Sequence, residues 1–174
     1  MGPEAADANV NKGIMRAAVM LQMTWPGAPT LYYGDEAGVT GWTDPDNRRT
    51  YPWGHEDQGL IEYHRKMIRI HKEHEALLTG SLKYLEGAYK VICYGRFTAR
   101  EKMVVLINGG FDEAKVRVPV WEIGVTEEEE LQRIIMSREA DFTMEPAVCP
   151  VQGGVLEITL PAITAILLKA VPKK

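Results

Sequence analysis

The sequence has little that would build a disulfide scaffold, a membrane span or a nucleotide site. Its 174 residues include two cysteines, Cys93 and Cys149. Two are too few for a disulfide framework, and they form no C-x-x-C pair. Inert thiols in a reducing compartment are the expectation. No apolar run reaches the roughly 18 residues that a membrane helix needs. The opening Met-Gly-Pro-Glu-Ala-Ala-Asp has neither the basic nor the apolar region of an export signal, so a cytoplasmic location is expected. Positive charge is not in excess: 20 Lys and Arg face 24 Asp and Glu, a formal net charge of −4, which argues against a nucleic-acid partner. There is no G-x-G-x-x-G, no Walker motif and no G-x-S-x-G, so neither a nucleotide cofactor nor a serine nucleophile has support. No other cofactor is implied. Length is itself a shortage, because a complete (β/α)₈ barrel takes about 250 residues.

What is present is globular. Hydrophobic residues make up 45% and charged residues 25%. A chain of this length buries roughly 70% of its unfolded surface, enough for a core without staples. Residues Met1 to Asn9 are small and polar and read as frayed. Asn9 or Asn11 can cap a helix by accepting an orphan backbone N–H. Lys12 to Thr24 is apolar on most of its circumference, the pattern of a buried helix. Pro26-Gly27 stops it and Pro29 keeps the chain extended. Thr30-Leu31-Tyr32-Tyr33 has the composition of a short strand. A Gly-, Pro- and Asp-rich loop follows, Ala37 to Gly59, of a length that is usually functional.

Leu60 to Leu78 reads as a second helix. Leu60, His64, Met67, Ile68 and His71 lie on one face, and Glu62 stands four residues before Lys66. Gly80 sits where a helix C′ glycine would. After it the period changes from 3.6 to 2. Strands are expected over Ser81–Leu85, Val91–Phe97, Met103–Ile107, Ala114–Val120, Leu131–Met136, Val155–Leu160 and Ile163–Leu168. Such punctuated short strands indicate an antiparallel sandwich. Two domains are therefore expected, 1–78 and 79–174.

Three features invite a chemical reading. Asp35-Glu36 looks like a carboxylate pair for acid/base work, but adjacent strand residues point to opposite faces and cannot flank one bond. The loop gathers Trp42, Asp44, Arg48, Arg49, Tyr51 and Trp53. Flat aromatic faces beside carboxylate and guanidinium groups suit a sugar; equally, Asp44 can pair with Arg48 or Arg49 to hold the loop. Of the four histidines, His55, His64, His71 and His74, three share a helix. Their spacing is not H-E-x-x-H, so core or helix-face roles are expected and no metal site.

These residues carry a resemblance. Pro26-Gly27-Ala28-Pro29-Thr30-Leu31-Tyr32-Tyr33-Gly34-Asp35-Glu36 resembles the last barrel strand of the α-amylase family, glycoside hydrolase family 13. Gly38 to Gly41, Asp44-Pro45-Asp46-Asn47-Arg48-Arg49 and Pro52-Trp53 resemble the loop after it. The similarity is greatest to the neopullulanase, cyclomaltodextrinase and maltogenic amylase group. Arg69-Ile70-His71-Lys72-Glu73-His74 with Ala76-Leu77 resembles the final barrel helix, and the β remainder the family's C-terminal domain. The resemblance implies a mainly β chain: a C-terminal antiparallel Greek-key β-sandwich preceded by the last helix–strand–loop–helix segment of a (β/α)₈ barrel. It implies a donor-side sugar subsite at Asp44 and Arg48, with Tyr33 and Glu36 near the cleft; Trp42, from the aromatic composition of the loop, joins Asp44, Arg48 and Tyr33 as an expected substrate contact.

The departures matter as much. The family's nucleophile Asp, acid/base Glu and stabilising Asp lie on earlier strands, the last in an Asn-His-Asp motif just before the helix that opens this chain. Met1 to Ala8 contains no Asn-His-Asp, and strands one to seven are missing. The expectation is a C-terminal piece of an α-glucan-acting hydrolase, inactive alone, with no catalytic residue of its own. An α-glucan or maltooligosaccharide is the expected ligand of the full-length parent. The alternative is a non-catalytic glucan-binding or subunit-contact module; an amylase-like transporter subunit is a remote third. Self-association through an exposed barrel surface is expected.

Overall fold

The computed structural model describes residues 10–173. The opening stretch expected to be frayed, and the alternative cap Asn9, lie outside the described residues. Helix α1 spans Lys12–Thr24. Its cap is Asn11, whose side-chain oxygen accepts the backbone N–H groups of Gly13 and Ile14 at 2.9 and 3.1 Å. A Cβ on Gly13 would stand 2.7 Å from the Cα of Glu139, so this glycine lets the helix approach the β-domain closely. Helix α2 spans Gln58–Glu73, capped by Asp57, and a single turn, α3, covers Glu75–Leu78.

The second helix thus breaks at His74, where one continuous helix to Leu78 was expected. Its buried face is Leu60, Tyr63, His64, Met67 and Ile70; Ile68 and His71 are only half-buried. The Glu62–Lys66 pair forms at 2.9 Å. Gly80 follows the cap of α3 without adopting a left-handed conformation. It is glycine for space, since a Cβ there would overlap the Ala76 carbonyl oxygen.

The expected strand Thr30–Tyr33 does not form. Leu31 runs into a turn at Tyr33-Gly34, followed by a 3₁₀ turn over Asp35–Ala37. A parallel strand needs ladder partners on its edges for its backbone groups. Among the described residues, no strand lies beside this segment to supply them.

The remainder is antiparallel. Strands β1 (Ser81–Leu85), β2 (Val91–Phe97), β3 (Lys102–Asn108), β10 (Thr164–Pro172), β5 (Glu129–Ser137) and β6 (Phe142–Thr143) form one sheet in that order, with β7 (Val148–Cys149) also on β5. Strands β4 (Ala114–Val118), β9 (Val155–Leu160) and β8 (Val151–Gln152) form a second sheet. The seven expected strands are present, with ends shifted by a few residues at most. The two-residue strands β6, β7 and β8 have too little pattern to be read from sequence.

The large sheet is covered on both faces. Its inner face packs on the small sheet through Val91, Cys93, Val104, Leu106, Ile166 and Leu168. Its outer face packs on α1 and α2 through Tyr94, Met103, Val105, Ile107, Ala165 and Leu167, against Met20, Met23, Tyr63 and Met67. Two-sided burial explains why β3 and β10 read as continuous apolar runs instead of alternating. A bulge pairs Leu167 with Ile135 but Leu168 with Arg133. It lets Leu131 and Ile135, four residues apart, face opposite cores. Fully burying each such side chain contributes about 1.5–3 kcal/mol.

Helix α1 has a second apolar stripe. Ile14, Ala18, Leu21 and Trp25 follow one another at helical spacing, and Ile14, Ala18 and Trp25 are exposed. Together with Pro26, Pro29, Tyr84 and Ile92, the lower part of this stripe lines an open groove of about 660 Å³. The groove combines α1 with β1 and β2, and so is not purely the barrel surface expected from the sequence.

Candidate functional site

The loop between the Asp35–Ala37 turn and α2 is closed at its base. The backbone N–H of Asp57 donates to the Ala37 carbonyl at 2.9 Å, and the Asp57 carboxylate caps α2 by accepting the Leu60 N–H at 2.9 Å. Lys12, at the start of α1, reaches the same carboxylate at 2.5 Å. Burial opposes the charge on Asp57, but the bonds from Lys12 and from the backbone N–H groups prevail and hold its pKa below the usual carboxylate range.

At the tip, Asp46–Arg48 forms a 3₁₀ turn after a cis Asp44–Pro45 bond. Two acid–base pairs share this turn. Arg49 donates to Asp46 through Nε at 2.9 Å and Nη2 at 2.8 Å, a two-bond fork. The other oxygen contact of Asp46 is the Trp42 backbone N–H at 2.8 Å, and Arg49 Nη1 reaches Thr40 Oγ1 at 3.1 Å. The hydrogen bond from Arg49 is the main reason the Asp46 pKa lies low. Asp44 takes Arg48, at 2.9 Å, with 69% and 61% of the two side chains exposed.

The sequence left open which arginine Asp44 would choose. The backbone decides. Asp46 and Arg49 lie three residues apart across the 3₁₀ turn and partly buried, whereas Asp44 and Arg48 project outwards. Asp46 and Arg49 are the organising pair that sequence reading passed over. The signal was there in the D-P-D-N-R-R run, but spacing alone does not assign two acids to two bases.

Tyr33 joins this assembly from below, its hydroxyl donating to the Arg49 carbonyl at 2.9 Å. Its ring lies 4.8 Å from that of Tyr32, and Tyr51 and Trp53 pair at 4.5 Å. Trp53 is 80% and Trp42 41% exposed. Loss of water around the ring and the adjacent Tyr33 raise the Tyr32 pKa. Of the four expected binding residues, Asp44 and Arg48 form one pair. Trp42 and Tyr33 are tied to each other's neighbours through Asp46 and Arg49. The resulting surface offers aromatic faces, a carboxylate and a guanidinium to solvent, a combination that can stack on a sugar ring and bond vicinal hydroxyls.

Asp35 and Glu36 do not form an acid/base couple. Glu36 folds back to accept the Gly34 N–H at 3.0 Å. Asp35 instead lines a small cavity with Met15, Ala18, Gln22 and His64. Burial raises the Asp35 pKa and the nearby His64 lowers it. The two residues sit in a 3₁₀ turn, not a strand.

Three of the four histidines have structural partners. His64 Nδ1 bonds the Leu60 carbonyl at 2.8 Å, His71 Nδ1 the Met23 carbonyl at 2.7 Å, and His74 Nδ1 the Glu101 carboxylate at 2.7 Å. Among the described residues, no three His, Cys, Asp or Glu side chains are grouped to hold a metal, and no helix is long and apolar enough to cross a membrane. Cys93 and Cys149 are free, and burial pushes the Cys93 thiol up to about 12.

No family model matches the chain. Individual relatives do. An amylopullulanase of Thermoanaerobacter thermohydrosulfuricus is 43% identical over 103 residues, 55% of this chain and 7% of that protein. An amylopullulanase of Thermoanaerobacterium saccharolyticum is 29% identical over 96% of this chain and 14% of its own length. Neopullulanase 2 of Thermoactinomyces vulgaris is 32% identical over 66% of this chain and 20% of its own. An Anoxybacillus α-amylase superposes with a TM-score of 0.78 at 24% identity, covering 92% of this chain and 32% of its own. The likeness to amylase and neopullulanase-type enzymes expected from the sequence is thus found, and the chain spans a minor part of each.

Proposed function

We propose that the chain is the C-terminal part of an α-glucan-acting glycoside hydrolase, and that the loop bearing Trp42, Asp44 and Arg48, with Tyr33 beneath it, contacts the glucan. One observation carries this reading. The Asp46–Arg49 fork holds the loop, so the Asp44–Arg48 pair is free of that task and stands open to solvent beside an exposed indole. A structural staple would be the buried pair of the two; a sugar-contacting pair would be the exposed one. The names of the relatives support an α-glucan as ligand.

Chemistry belongs elsewhere in such a parent. Retaining cleavage needs two carboxyl groups about 5–5.5 Å apart across the bond. Of the two adjacent acidic couples at the loop's ends, Asp35-Glu36 has Glu36 committed to Gly34, and Glu56-Asp57 has Asp57 committed to the Leu60 N–H and Lys12. The chain alone is therefore expected to bind and not to cleave. Calorimetric titration of the purified chain with maltooligosaccharides tests it. Millimolar-or-better binding, lost in Asp44→Ala and Trp42→Ala, supports the reading; no heat in the unaltered chain overturns it. Turnover of pullulan or a cyclodextrin by the chain alone would show that catalysis lies within it.

The exposed stripe of α1 and the adjoining groove favour a second role, contact with another protein surface. A further copy of this chain is one such surface, and the oligomeric state reports on it.

A further inference from the structure

The last turn of α1 ends inside the molecule, where its carbonyls need partners. They find them within the helix end itself and on two other elements, α2 and β2. The Trp25 N–H donates to Leu21 at 2.9 Å, the Thr24 hydroxyl to Met20 at 2.6 Å, and His71 of α2 to Met23 at 2.7 Å. Since the Thr24 hydroxyl gives its proton to Met20, the Tyr94 hydroxyl of β2 donates to it, at 2.5 Å. The final carbonyl, that of Thr24, accepts Arg96 Nη1 at 2.6 Å.

Arg96 is 1% exposed and is the largest of the fully buried side chains. Its remaining bonds run from Nη2 to the carbonyls of Leu77 at 3.1 Å and Gly80 at 3.0 Å. Its hydrogen-bond partners are all backbone carbonyls and include no carboxylate. A buried cation without an acid partner is expensive, and apolar filling of the same volume is often better for stability. Three backbone carbonyls compensate it here: one ends α1, one lies in the single turn α3 and one lies just past it. What the guanidinium does in return is geometric. It joins the end of α1 to the α3–β1 connection from a third element, β2, and so sets where the chain leaves α1.

The chain that leaves is the approach to the candidate site. Trp25 lies edge-on to Tyr94 with centroids 5.4 Å apart, the Gln22 side chain bonds the Thr30 carbonyl, and Tyr33 bonds Arg49 of the loop. We propose that Arg96 is a positioning residue for the glucan-contact loop, fixing the exit of α1 and, through the Trp25–Tyr33 segment, the placement of Tyr33, Arg49 and the tip that bears Trp42 and Asp44. The loop's role in glucan contact rests on the function proposed above; the positioning does not.

Hydrogen exchange on the full chain, read by segment, tests it in Arg96→Met and Arg96→Lys. Lysine keeps the charge but not the planar fork that spans three carbonyls. Exchange over residues 25–57 is expected to rise about tenfold or more in the methionine variant and by less in the lysine variant, while β3 and β10 keep their protection. A uniform rise across the chain, or none over residues 25–57, overturns the proposal. If the methionine variant does not fold, the lysine variant is judged by the same two outcomes. Maltooligosaccharide affinity is expected to weaken in step with exchange; unchanged affinity despite a loosened loop overturns the link to the site. If the unaltered chain binds no glucan, the reading of function fails and the exchange pattern still decides the positioning.

Discussion

Arg49 grips Asp46 with two parallel hydrogen bonds of 2.9 and 2.8 Å while its own backbone carbonyl receives the hydroxyl of Tyr33. One residue therefore ties the tip of the loop to its approach. The neighbouring Asp44–Arg48 pair has the same chemistry and the same reach, but lies outside.

This division separates two variants that look alike on paper. Asp46→Ala removes the acceptor for both Arg49 and the Trp42 N–H, so limited proteolysis is expected to cut within residues 39–57 several times faster. Asp44→Ala is expected to leave the cutting rate unchanged and to weaken glucan binding. Equal cutting in both would mean that the fork does not hold the loop. Because Arg49 lowers the Asp46 pKa, the restraint is present above the ordinary aspartate range and is lost as pH falls through the depressed value.

Glu101 carries a second acid-sensitive joint. Burial alone would raise its pKa; the Ala76 N–H at 2.9 Å, Lys169 at 2.8 Å and His74 at 2.7 Å outweigh that and hold it down at about 2, against an ordinary value of 4.5. A carboxylate with a lowered folded pKa stabilises the protein above the unfolded value and stops doing so as pH falls through the folded one. Glu101→Gln is expected to cost about 1–2 kcal/mol at pH 7, allowing for solvent screening. Urea titrations of both proteins at pH 7 and pH 3 check this. The gap should shrink at the lower pH; a constant gap would rule the mechanism out.

Met20 of α1 and Leu106 of β3 are both fully buried, in cores on opposite faces of the large sheet. Truncating either to alanine is expected to cost about 2–5 kcal/mol. If the helices and the sandwich unfold as one unit, each variant shifts a single transition. If 1–78 and 79–174 behave as separate domains, Met20→Ala shifts one of two transitions and leaves the other in place.

The apolar stripe of α1 gives a prediction about association. Ile14→Glu changes an exposed position at its upper end and touches no buried contact of the sheet. Light scattering of the unaltered chain at high concentration is expected to show a dimer or larger species, reduced in the variant. A monodisperse monomer in both removes the case for self-association.

Local physics was enough for much of this chain. The helix over Lys12–Thr24 was readable to both ends, because an asparagine cap, an apolar run and Pro26-Gly27 are local signals. Seven strands were readable for the same reason, since side-chain period and turn residues act over a few neighbours. The composition of the loop at Trp42, Asp44 and Arg48 was equally plain. Long-range pairing decided the rest. Thr30–Tyr33 has the residues of a strand, yet a strand exists only where another strand takes its backbone hydrogen bonds, and none among the described residues pairs with it. Which aspartate takes which arginine depended on a backbone turn, not on spacing. Nothing local in the sequence marks Arg96 and Arg16 as buried; one satisfies the end of α1, and the other, from within α1, donates to the Arg138 and Glu139 carbonyls at 2.9 Å each. A charged side chain can be buried only where the fold gathers acceptors around it, and carbonyls carry no mark in the sequence of where they will end.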